Sequence, residues 1–229
     1  MNEVATRRIG PSDGGKPRQI VFVLHGLGAN GADLVPLAQA LAPAAPAALF
    51  LLPDAPEPCD LVSPEDGRHA RQWFSLRDWS AEAMAAGARG ASRALRRFID
   101  ESLAAHHLPA EAYALVGFSQ GGMMALFTGL RHSPPPAAIL AYSAILLDPR
   151  SLGAEIAGRP PILLAHGERD EVVAADWSRH AAATLRALGL PVTLDLDPAL
   201  GHTIDQPGIL AGQRLLQEAF AVPGSAAVP

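Results

Sequence analysis

The sequence predicts an α/β protein with a mostly parallel central sheet and helices on both of its faces. Three observations point there. Short runs rich in Val, Ile and Leu alternate along the chain with longer, alanine-rich segments of helical character. Several of the short runs are apolar at consecutive positions, as strands covered on both faces require. The 229 residues, 49% hydrophobic and 18% charged, suit one large core. A single domain over residues 1–229 is expected, with about 1–18 and 222–229 peripheral.

The strands are expected at 19–25 (QIVFVLH), 47–53 (AALFLLP), 112–118 (AYALVGF), 137–143 (AAILAYS), 160–166 (PPILLAH) and 192–197 (VTLDLD). The segment EVATRRIG (3–10) is a candidate edge strand. Helices are expected near 32–42, 80–105, 120–131, 174–188 and 206–220. In the longest, Ser80 is placed to cap the N-terminus, and Leu95, Phe98, Ile99 and Leu103 share one side. Residues 53–79 break the rhythm: prolines and charges precede an aromatic cluster, which predicts a long irregular excursion at the C-terminal end of a strand.

Composition narrows the function. The net charge is −5 and the basic residues are scattered, so no stripe suits nucleic acid or anionic lipid. Cys59, the one cysteine, excludes an intrachain disulfide and a Cys-based metal cluster, and in its proline-rich loop it reads as a semi-exposed spectator. No window reaches the roughly 18–20 apolar residues of a membrane span, and the N-terminus lacks a signal-peptide core. A cytoplasmic protein without stable membrane insertion is the expectation.

The chemistry concentrates at Gly117-Phe118-Ser119-Gln120-Gly121. Between a strand ending at 118 and a helix starting at 120, the turn is a single residue, Ser119. Its backbone must be strained, and bulky neighbours two positions away would collide, which accounts for Gly117 and Gly121. Taken alone, the serine could be a plain helix cap; after an apolar strand and before a helix, the pattern instead predicts a nucleophile elbow.

A serine hydroxyl is a weak nucleophile at neutral pH, so this reading demands a histidine and a carboxylate to orient it, in the chain order Ser, Asp or Glu, His. Asp170 follows the strand at 160–166, and His202 follows the strand at 192–197. Asp148, Glu168, Glu171 and Asp176 are alternative carboxylates. The other histidines lie on helices or their ends (His106, His107, His132, His180), in the proline-rich loop (His69), or at strand ends (His25, His166). An oxyanion needs pre-placed N–H donors: one is expected from the Gln120 amide, the other from Leu27 in the glycine-rich loop GLGANGAD (26–33). That loop lacks the Lys-Ser/Thr ending of a phosphate-binding loop.

VLHGLGANG (23–31), RQWFSL (71–76), GFSQGG (117–122), HGERDEVV (166–173) and LGHTI (200–204) together resemble the carboxylesterase/phospholipase family of α/β-hydrolases, which includes bacterial carboxylesterases and acyl-protein thioesterases. The resemblance runs from about residue 20 to 220. It implies an α/β-hydrolase fold, a Ser119–Asp170–His202 triad, Leu27 and Gln120 amides as oxyanion hole, and an apolar groove near Ser119. Trp73 and Phe74 correspond to an aromatic motif flanking the acyl site at the end of the 53–79 excursion; alternatively the pair plugs the core. The sequence departs from the family at Ser75, often Asp, at Ser143-Ala144, often Ser-Gly, and at ILLDPRS (145–151).

The expected activity is hydrolysis of carboxylic esters of short to medium acyl chain through an acyl-enzyme, on a small-molecule or lipid ester substrate, with no metal or organic cofactor. Acyl-protein thioesterase or lysophospholipase activity on long acyl chains is the alternative. A binding protein on a retired hydrolase scaffold is a further one, opposed by the intact Ser, Asp and His. An apolar groove beside an open loop is compatible with a homodimer.

Overall fold

The computed structural model describes residues 5–63, 67 and 69–221. Its main sheet has seven strands: β1 (Thr6–Ile9), β2 (Gln19–Leu24), β3 (Ala48–Pro53), β6 (Tyr113–Phe118), β7 (Ala138–Tyr142), β8 (Ile162–Gly167) and β9 (Val192–Asp197), in the order β1-β3-β2-β6-β7-β8-β9. All neighbouring pairs are parallel except β1 with β3. A two-rung hairpin of β4 (Glu57–Pro58) and β5 (Arg71–Gln72) lies within the excursion.

Period-2 alternation along the strands divides the core into two layers. Ile20, Phe22 and Leu24 face one side with α2 (Ala81–Ala105), α3 (Gln120–Arg131), α4 (Pro149–Glu155) and α5 (Asp176–Ala187). Val21 and Val23 face the other with α1 (Val35–Leu41) and α6 (Gln206–Ala219). Both faces are covered, so the strands are apolar at consecutive positions for the expected reason.

The elements follow the sequence closely, with physical reasons where they differ. The first helix is shorter than 32–42, because Asn30 and Asp33 form a capping box over a 3₁₀ turn at Gly31–Leu34 and Pro36 then starts a new helical segment. Ser80 does cap α2, accepting from the Ala83 amide at 3.2 Å. Helix α4 is not among the expected helices; Pro149 stands at its first position and Gly153 lies within it. Cys59, expected semi-exposed, is buried, and its amide donates to the Ala70 carbonyl at 2.9 Å. No helix among the described residues is long and apolar enough to cross a membrane.

The two margins of the main sheet differ in charge. β1 exposes Arg7 and Arg8, whereas β9 carries Asp195 and Asp197.

Candidate active site

Strand β6 ends at Phe118 and α3 begins at Gln120, so Ser119 alone makes the turn. Its backbone has φ 53° and ψ −121°, a conformation disfavoured for a residue with a Cβ. The turn is held by the Ser119 amide donating to the Tyr142 carbonyl at 2.8 Å and by the Met123 amide donating to the Ser119 carbonyl at 3.0 Å. The flanking glycines are steric necessities. A Cβ on Gly121 would overlap the Leu24 carbonyl, and one on Gly117 would overlap the Gly121 carbonyl. Every residue of α3 is buried, so the helix behind Ser119 has no solvent side toward which to shift.

Asp170 sits in the loop after β8 with its side chain fully buried. Oδ1 accepts the amides of Val172 at 2.9 Å and Val173 at 2.8 Å. Oδ2 accepts from His202 Nδ1 at 2.6 Å and lies 3.1 Å from His166 Nε2. Burial is the largest single influence and pushes the carboxyl up. The donors at Val173, His202 and Val172 together outweigh it and hold its pKa below the ordinary carboxylate value. The carboxylate is therefore fixed as an anion with all its acceptor directions occupied.

His202, in the loop after β9, turns Nδ1 to this carboxylate, so the neutral ring carries its proton there and presents Nε2 as the acceptor. Its ring packs on Phe118, the residue before Ser119, with centroids 4.8 Å apart. His166, a strand-end histidine given no role by sequence, supports Asp170 from behind. Its Nε2 faces two acceptors, the Val173 carbonyl at 2.8 Å and Asp170 Oδ2, while Nδ1 meets Ser178 Oγ at 2.7 Å. Burial lowers the His166 pKa, in keeping with a neutral ring that donates through Nε2.

Three of the alternative carboxylates have other partners. Asp148 binds Arg89 and the Ser151 hydroxyl, Glu168 binds Arg179, and Asp176 meets Arg179 at 3.1 Å.

The loop after β2 passes directly against the serine: a Cβ on Gly26 would lie 3.3 Å from Ser119 Cβ. Arg71 stitches that loop in place, its carbonyl accepting from Gly28 N and its amide donating to the Ala29 carbonyl, both at 2.9 Å. Among the described residues, neither the Leu27 nor the Gln120 amide has a hydrogen-bond acceptor within the protein.

Trp73 and Phe74 are only 4% and 2% exposed and belong to the core, in keeping with the alternative that the pair plugs it. The Trp73 indole donates to the His25 carbonyl at 2.9 Å, so the pair braces the site from beneath. A groove of about 320 Å³ opens between the start of α1 and the His202 loop, where apolar residues such as Leu37, Phe118, Ile204 and Ile209 are joined by Asp33 and Thr203. A cavity of about 80 Å³ lies behind the same loop, between Tyr142 and Asp205.

The family model described as phospholipase/carboxylesterase matches residues 10–217. The chain belongs to this family. It is 32% identical over 205 residues to acyl-protein thioesterase 1 of Mycosarcoma maydis, covering 81% of this chain and 83% of that one. It is 28% identical over 190 residues to esterase YpfH of Escherichia coli (strain K12), covering 82% and 77%. The crystal structure of esterase PE8 superposes with a TM-score of 0.87 at 36% identity, covering 95% of this chain and 99% of that one. Acyl-protein thioesterase 2 of Zea mays shares the fold, with a TM-score of 0.71 at 24% identity over 95% and 99% of the chains. The α/β-hydrolase fold and an esterase or thioesterase hydrolase are thereby supported.

This member of the phospholipase/carboxylesterase family accommodates its sequence departures locally. Ser75 donates its hydroxyl to Asp60 Oδ2 at 2.6 Å, tying two parts of the excursion together. Ser143 has φ 50° and a buried hydroxyl with no partner among the described residues. Asp148 joins Arg89, Arg131, Ser151 and Glu155 in a polar network on the far side of α3.

Proposed function

We propose that the protein is a serine carboxylesterase that hydrolyses esters of short to medium acyl chain through an acyl-enzyme. The observation that carries this reading is the 2.6 Å Asp170–His202 hydrogen bond, with the His202 ring packed on Phe118, the residue before a serine of left-handed φ on a one-residue turn. In this mechanism His202 Nε2 takes the Ser119 proton as Oγ bonds to the ester carbonyl carbon. The Leu27 and Gln120 amides receive the oxyanion, and Asp170 stabilises the imidazolium. The C–O bond to the alcohol breaks as His202 returns the proton to the leaving oxygen. Water then attacks the acyl-enzyme by the same proton route and releases the acid. None of these steps calls for a metal or organic cofactor.

The groove of about 320 Å³ lies at the small end of ligand pockets, roughly 300–1,000 Å³, which supports a compact apolar arm on the substrate. A second reading, acyl-protein thioesterase, uses the same residues on a longer chain and a thiol leaving group; it is favoured by the likeness to acyl-protein thioesterase 1.

The test compares p-nitrophenyl esters of increasing acyl length with long-chain acyl thioesters, using wild type and Ser119→Ala. Turnover best on short esters and lost in Ser119→Ala is the expected result. Preference for long thioesters selects the second reading, and equal rates in the two proteins remove the serine mechanism.

A further inference from the structure

We propose that the buried imidazole of His25 is a positioning residue that sets the direction of the Leu27 N–H, an inference that rests on the reading of that amide as an oxyanion donor. His25 directly follows β2 and is fully buried, 0% exposed. Its two ring nitrogens have different obligations. Nε2 lies 2.9 Å from the Ala55 amide, and a backbone N–H can only donate, so this nitrogen must be the unprotonated acceptor. The proton of the neutral ring is therefore on Nδ1, which donates to the Gly26 carbonyl at 2.7 Å.

That carbonyl is one half of the peptide whose other half is the Leu27 N–H. A trans peptide is planar, with C=O and N–H pointing in opposite directions. Holding the Gly26 oxygen toward the imidazole therefore turns the Leu27 hydrogen away from it. The Ala29 amide also donates to the Gly26 oxygen, at 3.3 Å, and on the other side of Leu27 the Gly28 amide is tied to the Arg71 carbonyl at 2.9 Å. Gly28 itself has φ 78°, where glycine is favoured. Rotation of the 26–27 peptide thus requires breaking the imidazole bond between two fixed flanks, and Gly26 lies against Ser119, where such a rotation would matter most. Burial lowers the His25 pKa, which keeps Nε2 free to accept; a second proton there would confront the Ala55 N–H.

Two near-isosteric variants separate this role from simple stapling of the Ala55 loop. In His25→Asn the side-chain amide nitrogen falls near the position of Nδ1 and can still donate to the Gly26 oxygen. In His25→Gln the terminal amide reaches the position of Nε2 and can still accept from Ala55, but the Gly26 oxygen loses the imidazole and keeps only the longer bond from the Ala29 amide. The expected result is a kcat for His25→Gln reduced about 10²-fold, the typical cost of losing one oxyanion donor, with KM changed by less than about threefold. Affinity for an alkylboronic acid, which forms a tetrahedral adduct with Ser119, should fall in parallel. His25→Asn should stay within about tenfold of wild type in both measurements.

The proposal is overturned if His25→Gln retains wild-type kcat, or if a folded His25→Asn is the more impaired of the two. Should His25→Gln fail to fold, the Asn variant decides alone: near-wild-type kcat and boronate affinity support the proposal, and a loss beyond about 10²-fold overturns it. Fluorophosphonate labelling of the wild type is run in parallel. Failure to label removes the underlying serine mechanism, and with it this inference. Labelling together with unaffected variants removes the role of His25 alone.

Discussion

The side-chain oxygen of Gln120 accepts the backbone N–H of Trp73 at 2.9 Å, while its amide nitrogen donates to the Phe74 carbonyl at 2.8 Å. One buried amide thereby pairs with the excursion as a neighbouring strand would, and joins it to the turn that carries Ser119. In Gln120→Met both backbone groups lose their partner in a dry environment, at about 1–3 kcal/mol for each. Urea unfolding should show a lower midpoint, and the variant should keep the Gln120 backbone amide yet lose turnover as residues 71–76 loosen. An unchanged midpoint would show that water replaces the side chain without cost.

Ser119 carries backbone strain that glycine does not feel. Ser119→Gly should be more stable than Ser119→Ala by about 1 kcal/mol, since alanine keeps the Cβ at φ 53°. Both should be inactive toward esters. Thermal unfolding of the two variants measures the difference directly, and equal midpoints would remove the argument from strain.

Asp170 links stability to pH. Its folded pKa is depressed, so its contribution to stability is present above the unfolded value of about 3.9 and is lost as pH falls through the folded one. Asp170→Asn should reduce kcat by about 10⁴-fold, because His202 Nδ1 then faces a group that does not enforce its tautomer. The stability gap between wild type and this variant should narrow below about pH 4, as seen in urea titrations across that range.

A different acid governs the far side of α3. Glu155 is held down to about 2, first by its hydrogen bond from Arg131 Nε at 2.5 Å. The Arg131 side chain is 3% exposed and its guanidinium lies 4.0 Å above the Phe127 ring, so it cannot turn to water when its partner is removed. Because the folded pKa lies below the unfolded one, the contribution exists above about pH 4.3 and disappears as pH approaches 2. Glu155→Gln should therefore be destabilised at pH 7 and converge on wild type near pH 2. Esterase kinetics near neutrality should be little altered.

What could be read from the sequence was whatever depends on local pattern. Consecutive apolar residues such as Ile20 to Leu24 announced strands buried on both faces, and chain order pointed to Asp170 and His202, which share a hydrogen bond. What could not be read depends on contacts across long separations. The motif points to Gln120 for its amide, but the reach of its side chain to Trp73 spans 47 positions. The same contacts draw Trp73 and Phe74 inward, which no spacing rule reveals. His25 reads as an ordinary strand end because its partner Ala55 lies 30 positions away, and His166 does so although Asp170 is only four positions on, because the turn that brings them together has no signature in residue type.

The opposed charges at the sheet margins limit how copies of this protein can associate. Two molecules approaching through matching β9 edges would bring Asp195 and Asp197 against their counterparts, and matching β1 edges would do the same with Arg7 and Arg8. Only a head-to-tail join of unlike edges escapes repulsion, and it would not close on itself. Electrostatics thus guards against a sheet continuing through a twofold axis, a safeguard that added salt should weaken.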